Sequence, residues 1–442
     1  MNSVAPDPSG KPTRVRWTVF SLAFGTSWLL YIHRYAFSFI KPALEEEWGL
    51  NNKDLGVIDV FFTLSYGLFQ FPLGIATDAL GVRFILPILI VVWCIGLALV
   101  AWVPGIFGLK AAQFTFGLGQ SAVFANINRM SQAWFPVPIR TTLQGLVGVF
   151  AARLGGLSAA LIFSILLLGV FGLEWRTAIY LLTGIGLVYA LLIRVLYRNS
   201  PQEHPKVNAA EVAIFEEKPG SGDANSKAPK MTVRQVIRGL KPRALVNLVA
   251  LNVASILSTI ADNIYSSWMP LFVAQVYFME WKEMGIMSAL PLAGGALGGF
   301  VGGGLNDWLI RKTGNRRWMR SGVAFAGKGM AAVLIFTALI WFDSPWIFCS
   351  ILFFVKFFGD WSLTTSWGII TDIGGRATAS IFAFNNAVAT LGAVLAAFLY
   401  GYISHEYGWH TVFVVAGSVY ALCALTWLVV NCTIPMIEES SP

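Results

Sequence analysis

Arg34 lies inside an apolar run, residues 20–40 (FSLAFGTSWLLYIHRYAFSFI). A guanidinium near the middle of a membrane helix costs roughly 2.5–3.5 kcal/mol on insertion scales, so such a residue turns toward protein or water. Snorkelling to the nearer interface is the competing reading. Ser27, Tyr31, Arg34 and Ser38 recur at helical spacing and share one narrow polar face. The chemistry on offer is anion capture, because the planar fork of arginine grips carboxylate or phosphate through two hydrogen bonds.

Other polar groups recur in apolar surroundings. Arg153 is flanked by Ala-Ala and Leu-Gly-Gly, small residues that let helices approach. Gln113, Gly117, Gln120 and Phe124 share a face, with Asn128 at its end; Asn252, Ser255, Thr259, Asn263 and Ser266 form a second stripe flanked by Asp262. Lys356 and Asp360 stand four residues apart with Trp367 on the same side, and Asn385 and Asn386 follow. Lys328 is read as structural. Arg34, Arg153 and Lys356 outnumber Asp262 and Asp360. If Lys356 and Asp360 pair within their helix, two arginines and Asp262 remain, which suits a mono- or dianion bearing hydroxyls. Arg34 and Arg153 then clamp the anion, while Gln113, Gln120, Asn263 and Asn386 read hydroxyls. Coupling to a proton or other ion falls to Asp262, Asp360 and His33, in that order, with Lys356 either in that site or in an internal ion pair.

The elements that must position these residues are membrane helices. Of 442 residues, 56% are hydrophobic and 12% charged, with 17 Trp, a balance that excludes an ordinary water-soluble domain. Runs of about 20 apolar residues, the length needed to cross hydrocarbon, recur near 17–40, 55–77, 84–103, 108–134, 141–168 and 175–197. They resume near 244–275, 284–308, 320–342, 346–371, 377–403 and 409–432. The fold class is therefore an all-α polytopic membrane protein with about twelve transmembrane helices in two bundles of six. The expected organisation is a tail (1–16), a first bundle (17–197), a linker (198–243), a second bundle (244–432) and a tail (433–442). The linker reads as flexible, ending in an amphipathic helix over residues 231–241 that lies on the membrane surface.

Lys11, Arg14 and Arg16, the cations from Arg198 through Arg243, and the Arg311–Arg320 loop place both termini and the linker in the cytoplasm. The opposite first loop is acidic, with Glu45, Glu46, Glu47 and Asp54. The net charge of +8 is thus a topology signal and no nucleic-acid partner is implied. The first run is a retained helix, since it is too long for a signal peptide and lacks a small-residue cleavage site. Four cysteines without a C-x-x-C pattern and four scattered histidines support no metal site, disulfide framework or cofactor. No catalytic constellation is present either.

The halves echo one another. Gly74-Ile-Ala-Thr-Asp78-Ala-Leu-Gly81-Val-Arg83 follows the second span, and Gly304-Leu-Asn-Asp307-Trp-Leu-Ile-Arg311 follows the eighth. In each, Asp is expected to pair with the nearby Arg as a charge lock, with Arg129 a further gate residue. This chain resembles the major facilitator superfamily, and within it the organic anion transporters of the anion:cation symporter family. The likeness rests on the two motifs above, Tyr31-Ile-His33-Arg34, Tyr66-x-x-x-Gln70-x-Pro72-x-Gly74, Asn126-Ile-Asn128-Arg129-Met130, Trp134-Phe135-Pro136, Thr371-Asp372 and Tyr407-Gly408-Trp409.

The resemblance implies alternating access around a midplane site, with Tyr31 and Tyr66 beside the substrate. Two departures stand out. Proton-coupled members often carry acids where this chain has His33 and Gln120, and organophosphate members a second Arg in span 7 where it offers Asp262. The reading is a monomeric, multi-pass inner-membrane carrier, embedded in lipid, for a small hydrophilic organic anion such as a sugar acid. An organophosphate exchanger and a non-transporting sensor of the same fold remain the alternatives.

Overall fold

The computed structural model describes residues 11–215, 242–374 and 378–434, and all the regular elements among them are helical. Ten helical stretches are long and apolar enough to cross a membrane. Two further stretches fall short for physical reasons. Helix α1 (Val15–Trp48) carries Arg34, Lys41 and three glutamates, which dilute its apolarity. The fourth span is broken at Ser121–Ala122 into α4 (Gly105–Gln120) and α5 (Val123–Trp134), each too short to cross alone. With these two, the spans match the expected twelve, and exposed large apolar side chains such as Phe300, Leu391 and Phe398 supply surface suited to lipid.

The helices form two compact units that cut across the bundles at 17–197 and 244–432. The first comprises Met1–Arg34, Phe61–Ala159 and Leu173–Ala228. Here α3 (Val82–Trp102) packs on α4 and on α8 (Trp175–Leu196). A Cβ on Gly96 would lie 2.4 Å from the Phe116 amide, and one on Gly119 2.4 Å from that of Trp93. Part of the linker is ordered. A short helix, α9 (Ala209–Phe215), brings the buried Glu211 to the start of α1, where its carboxylate accepts from the amides of Val15 (3.2 Å) and Arg16 (3.1 Å) and from the Thr13 hydroxyl. An anion at a helix N-terminus satisfies amides that have no partner within the helix. The expected surface helix over 231–241 lies outside the described residues.

The second unit comprises Tyr35–Val60, Ala160–Gly172 and Pro229–Pro442. Its seventh span runs as α10 (Pro242–Asn263), a π-helical turn (Ile264–Trp268) and α11 (Met269–Tyr277). The eighth and ninth are α12 (Trp281–Thr313) and α13 (Arg316–Leu339). The tenth is split into α14 (Pro345–Gly359) and α15 (Trp361–Gly374) at Asp360, and α16 (Thr378–Glu406) and α17 (Gly408–Val429) complete the chain.

The segments around the acidic loop, from α1 and from α2 (Asn52–Leu80), pack inside this unit. Asn52 donates to Ser404 (3.0 Å) and Gln275 (3.2 Å), Gln275 donates to Glu45 (2.8 Å), and Gly56 faces the Ala397 carbonyl with no room for a Cβ.

Glycine contacts also set the α12–α14 spacing. A Cβ on Gly298 would lie 1.9 Å from the Phe357 carbonyl oxygen, whereas one on Gly299 meets nothing within 4 Å. Gly298→Ala is therefore expected to destabilise the protein by about 1–3 kcal/mol through overpacking, and Gly299→Ala to leave it nearly unchanged. Thermal unfolding of the two variants in detergent provides the comparison, and equal melting temperatures would contradict the packing argument.

Candidate functional site

Arg34 is half-buried in the first unit, and its partners are neutral. Its Nε donates to Gln120 Oε1 at 2.9 Å, and Gln120 Nε2 in turn donates to the Leu30 carbonyl at 3.2 Å, which orients the amide. Three rings enclose the guanidinium: Tyr31 and Phe62 at 5.0 Å and Tyr66 at 4.9 Å from its carbon to their centroids. Such faces attract a cation without neutralising it. Gly117 brings α4 onto α2 at this point, since a Cβ there would lie 2.3 Å from the Phe62 carbonyl oxygen. Nη2 of Arg34 is buried and has no hydrogen-bond partner among the described residues. A buried donor on a charge without a carboxylate partner can accept an anion as its counter-charge.

Gln113, on the same face of α4 as Gln120, is buried with its Nε2 unpartnered among the described residues. Arg153 is half-buried on α7 (Ala151–Ser158), two residues before Gly155, whose Cβ position would meet the Trp28 carbonyl at 2.5 Å and Tyr31 Cβ at 2.7 Å. Trp28 Nε1 also donates to Ser158 at 3.0 Å. The helix bearing Arg153 thus packs on the Tyr31 stretch of α1.

The second unit gathers four charges. Lys356 Nζ lies 2.5 Å from Asp360 and 2.9 Å from Asp262, and Lys328 Nζ lies 3.6 Å from Asp262. Lys328 also donates to Ser258 Oγ (2.7 Å), which donates to Asp262 (3.2 Å), and the Tyr420 hydroxyl donates to Asp262 at 2.5 Å. Two ammonium groups against two carboxylates give no net charge. The pairing of Lys356 with Asp360, one of the two alternatives open in the sequence, is present, but Asp262 is not left over: it joins the same cluster. Lys328, which the sequence suggests is structural, is a member, and Tyr420 joins it without any sequence expectation. A lone lysine in an apolar span was the available signal for the first; a tyrosine in a membrane helix gives almost none.

Several other residues are placed differently from their expected grouping. His33 is fully buried in the first unit, where its Nδ1 accepts from Trp93 Nε1 at 3.1 Å. Asn386 is exposed, while its neighbour Asn385 is buried and bonds Asn252 (3.2 Å) and Ser255 (2.9 Å), so part of the α10 stripe ties helices together. Asn263 is half-buried with Oδ1 unpartnered among the described residues. Trp367 lies beyond the break at Asp360, edge-to-face with Phe382, so the regular helical spacing that grouped it with Lys356 does not apply.

The expected Asp-to-Arg locks within each motif do not form. Asp78 pairs with Arg129 at 3.1 Å, and Arg83 instead has its amide bonded to Asn199 at 3.0 Å. Asp307 and Arg311 make no ion pair with each other; the junction is held by Arg320 and Asp372 at 2.7 Å. Asp78 and Arg83 lie on either side of the helix break at Gly81, and Asp307 and Arg311, though on one face of α12, are both exposed, where an ion pair gains little.

Residues 23–370 match the profile of the Major Facilitator Superfamily. The chain belongs to this superfamily. Its similarity to individual members extends over nearly the full length. It is 27% identical over 416 residues to the probable sulfoacetate transporter SauU of Cupriavidus necator, covering 94% of this chain and 93% of that protein. It is 26% identical to the probable galactarate/D-glucarate transporter GudP of Bacillus subtilis, covering 96% and 93%. Against the probable L-galactonate transporter of Escherichia coli it is 24% identical, covering 94% and 89%. Among solved structures, a bacterial homologue of the human lysosomal transporter Spinster matches with a TM-score of 0.74 at 16% identity, covering 95% and 98%. That likeness establishes the fold, a multi-pass helical membrane protein of the major facilitator type.

In this superfamily member the four-charge cluster can be probed by breaking it. Asp262→Asn leaves two buried ammonium groups sharing one carboxylate and is expected to cost about 3–5 kcal/mol of stability, the usual effect of removing one partner from a buried pair. Adding Lys328→Met should restore part of the loss. Unfolding measurements on the single and double variants read this directly; a wild-type midpoint for Asp262→Asn would argue against coupling within the cluster.

Proposed function

We propose that the chain is a secondary active transporter of a small hydrophilic organic anion, a carboxylate or sulfonate such as a sugar acid, with Arg34 as its principal anion contact. The observation that carries this reading is the Arg34 guanidinium among three aromatic rings, its Nη2 buried and without a hydrogen-bond partner among the described residues. The names of the relatives agree with it, since sulfoacetate, galactarate, glucarate and galactonate are all small organic acids. Tyr31 and Tyr66 supply hydroxyls beside the guanidinium, Gln120 fixes its orientation, and Gln113 and Arg153 complete the substrate-facing set.

Coupling is assigned to Asp262, Asp360 and Lys356 with Lys328. A neutral cluster of two acids and two bases can exchange partners when a proton or another cation joins it, and can do so without leaving an isolated charge. Asp78 with Arg129, and Arg320 with Asp372, are the charge pairs at the basic-loop end that conformational change would have to break. In this reading that end faces the cytoplasm and the acidic loop the outside of an inner membrane, an orientation that the cation-rich loops support.

Arg34→Lys tests the anion contact. A point charge cannot reproduce the fork, so affinity for galactonate, galactarate or sulfoacetate, whichever binds the wild type, is expected to fall by about tenfold or more. Calorimetric titration or ligand-induced thermal shift in detergent measures it, and unchanged affinity would rule Arg34 out as the principal anion contact.

A further inference from the structure

Lys41 is fully buried and belongs to neither the anion contact nor the coupling cluster. Its Nζ lies 2.6 Å from Asp59 on α2, donates to the Ser267 carbonyl at 2.8 Å, and sits 4.2 Å from the centre of the Trp268 ring. One helical turn earlier on α1, Ser38 donates to the Ser266 carbonyl at 2.9 Å. Both carbonyls belong to the π-helical turn Ile264–Trp268, just before Pro270. Proline has no amide hydrogen, so Ser266, four residues before it, loses its α-helical donor. A widened turn followed by proline thus presents backbone acceptors sideways, and α1 fills them with one hydroxyl and one ammonium.

These partners differ in kind. Asp59 neutralises Lys41 and lies on the helix joined to α1 by the short acidic loop, so this ion pair is internal to one helical hairpin. Ser267 O and Trp268 attract the ammonium but carry no net charge. Separating them from Lys41 leaves no buried charge without its counter-charge, provided water enters as they part. An attachment that is directional, charge-assisted and yet severable at the cost of a neutral acceptor is the property a gate requires. By contrast, the ion pair of Lys53 with Glu406 at the same end is about two-fifths exposed and screened by solvent.

We propose that Lys41, held by Asp59, is the latch of the acidic-loop end: its ammonium docks on the Ser267 carbonyl and the Trp268 face when that end is shut and leaves them when it opens. The inference rests on the transporter reading, but its test needs no substrate, so failure to bind any organic acid would leave it standing. Ser266→Cys provides a reporter, because the latch on Ser267 and Trp268 does not use the Ser266 side chain, Ser38 bonds only its backbone carbonyl, and the four native cysteines are buried.

In membrane vesicles, Lys41→Met with Asp59→Asn removes both charges together, so neither is stranded. A charged maleimide applied from the acidic-loop side should then label Cys at 266 about tenfold faster or more than in the parent, the factor expected for losing one charge-assisted hydrogen bond. Trp268→Leu, which keeps the ion pair, should give a smaller acceleration and serves if the double variant fails to fold. Labelling rates equal to the parent in every folded variant, or acceleration only from the basic-loop side, would overturn the latch.

Discussion

A charge inside hydrocarbon has to find its compensation within reach of its own atoms, and the way each one does so divides the buried charges of this chain by role. Lys41 is matched by one carboxylate, Asp59. Lys328 and Lys356 share Asp262 and Asp360, two against two. Arg34 is held, among the described residues, by the Gln120 amide and by the Tyr31, Phe62 and Tyr66 side chains, which are neutral and leave its formal charge in place. The first arrangement can hold helices together, the second can redistribute its bonds, and the third leaves a charge that an anion could match. Helix packing serves these sites: Gly117 and Gly155 are where side chains had to vanish so that α4 and α7 could close on the helices around Arg34.

The helical class, the spans and the turning of Arg34 toward protein were legible in the sequence because each depends on a local property: run length, composition, or one ion in an apolar stretch. What escaped depends on partners far along the chain. Asp78 has an arginine five residues away and pairs instead with one 51 positions on. Lys41 sits at the edge of an apolar run, where a lysine ordinarily marks an interface, and only the fold reveals that Asp59 and the Ser267 carbonyl surround it. Asn385 and Asn386 differ by one residue, which on a helix is about 100°, enough to put one in the helix contact and the other on the surface. The first part of the linker is flexible by composition, yet Glu211 is ordered by a geometric opportunity, the unsatisfied amides at the start of α1.

The internal repeat is closer in hydrogen bonding than in charge. Asn126 donates to the Thr77 hydroxyl at 3.0 Å in the first unit, and Asn306 donates to the Thr365 hydroxyl at 2.8 Å in the second. Thr77 and Asn306 each precede the aspartate of their motif, so the same amide–hydroxyl bond recurs with its two ends exchanged. Its net geometry is kept because either residue type on either helix fills the same gap. The ion pairs nearby have diverged, Asp78 with Arg129 in one and Arg320 with Asp372 in the other. A buried neutral bond tolerates no loss of its partner, whereas an exposed pair such as Asp78 with Arg129 contributes little and can drift.

Interruptions in the helices recur where chemistry is concentrated. The fourth span breaks just after Gln120, the seventh widens between Asp262 and Pro270, and the tenth breaks at Asp360 itself. A continuous helix consumes its own carbonyls, leaving nothing for a charged side chain from a neighbour. Each interruption can release acceptors or let the axis turn, and in the seventh span the carbonyl oxygens of Ser266 and Ser267 accept from Ser38 and Lys41. Breaking the hydrogen-bond ladder is costly in lipid, so it is retained only where the freed groups are bonded by protein. Here the bonding partner is an ammonium that would itself be costly to bury alone. With the charge of Lys41 already matched by Asp59, the broken ladder and the ammonium complete one another's hydrogen bonds, and the contact between them can hold helices firmly while remaining open to replacement by water.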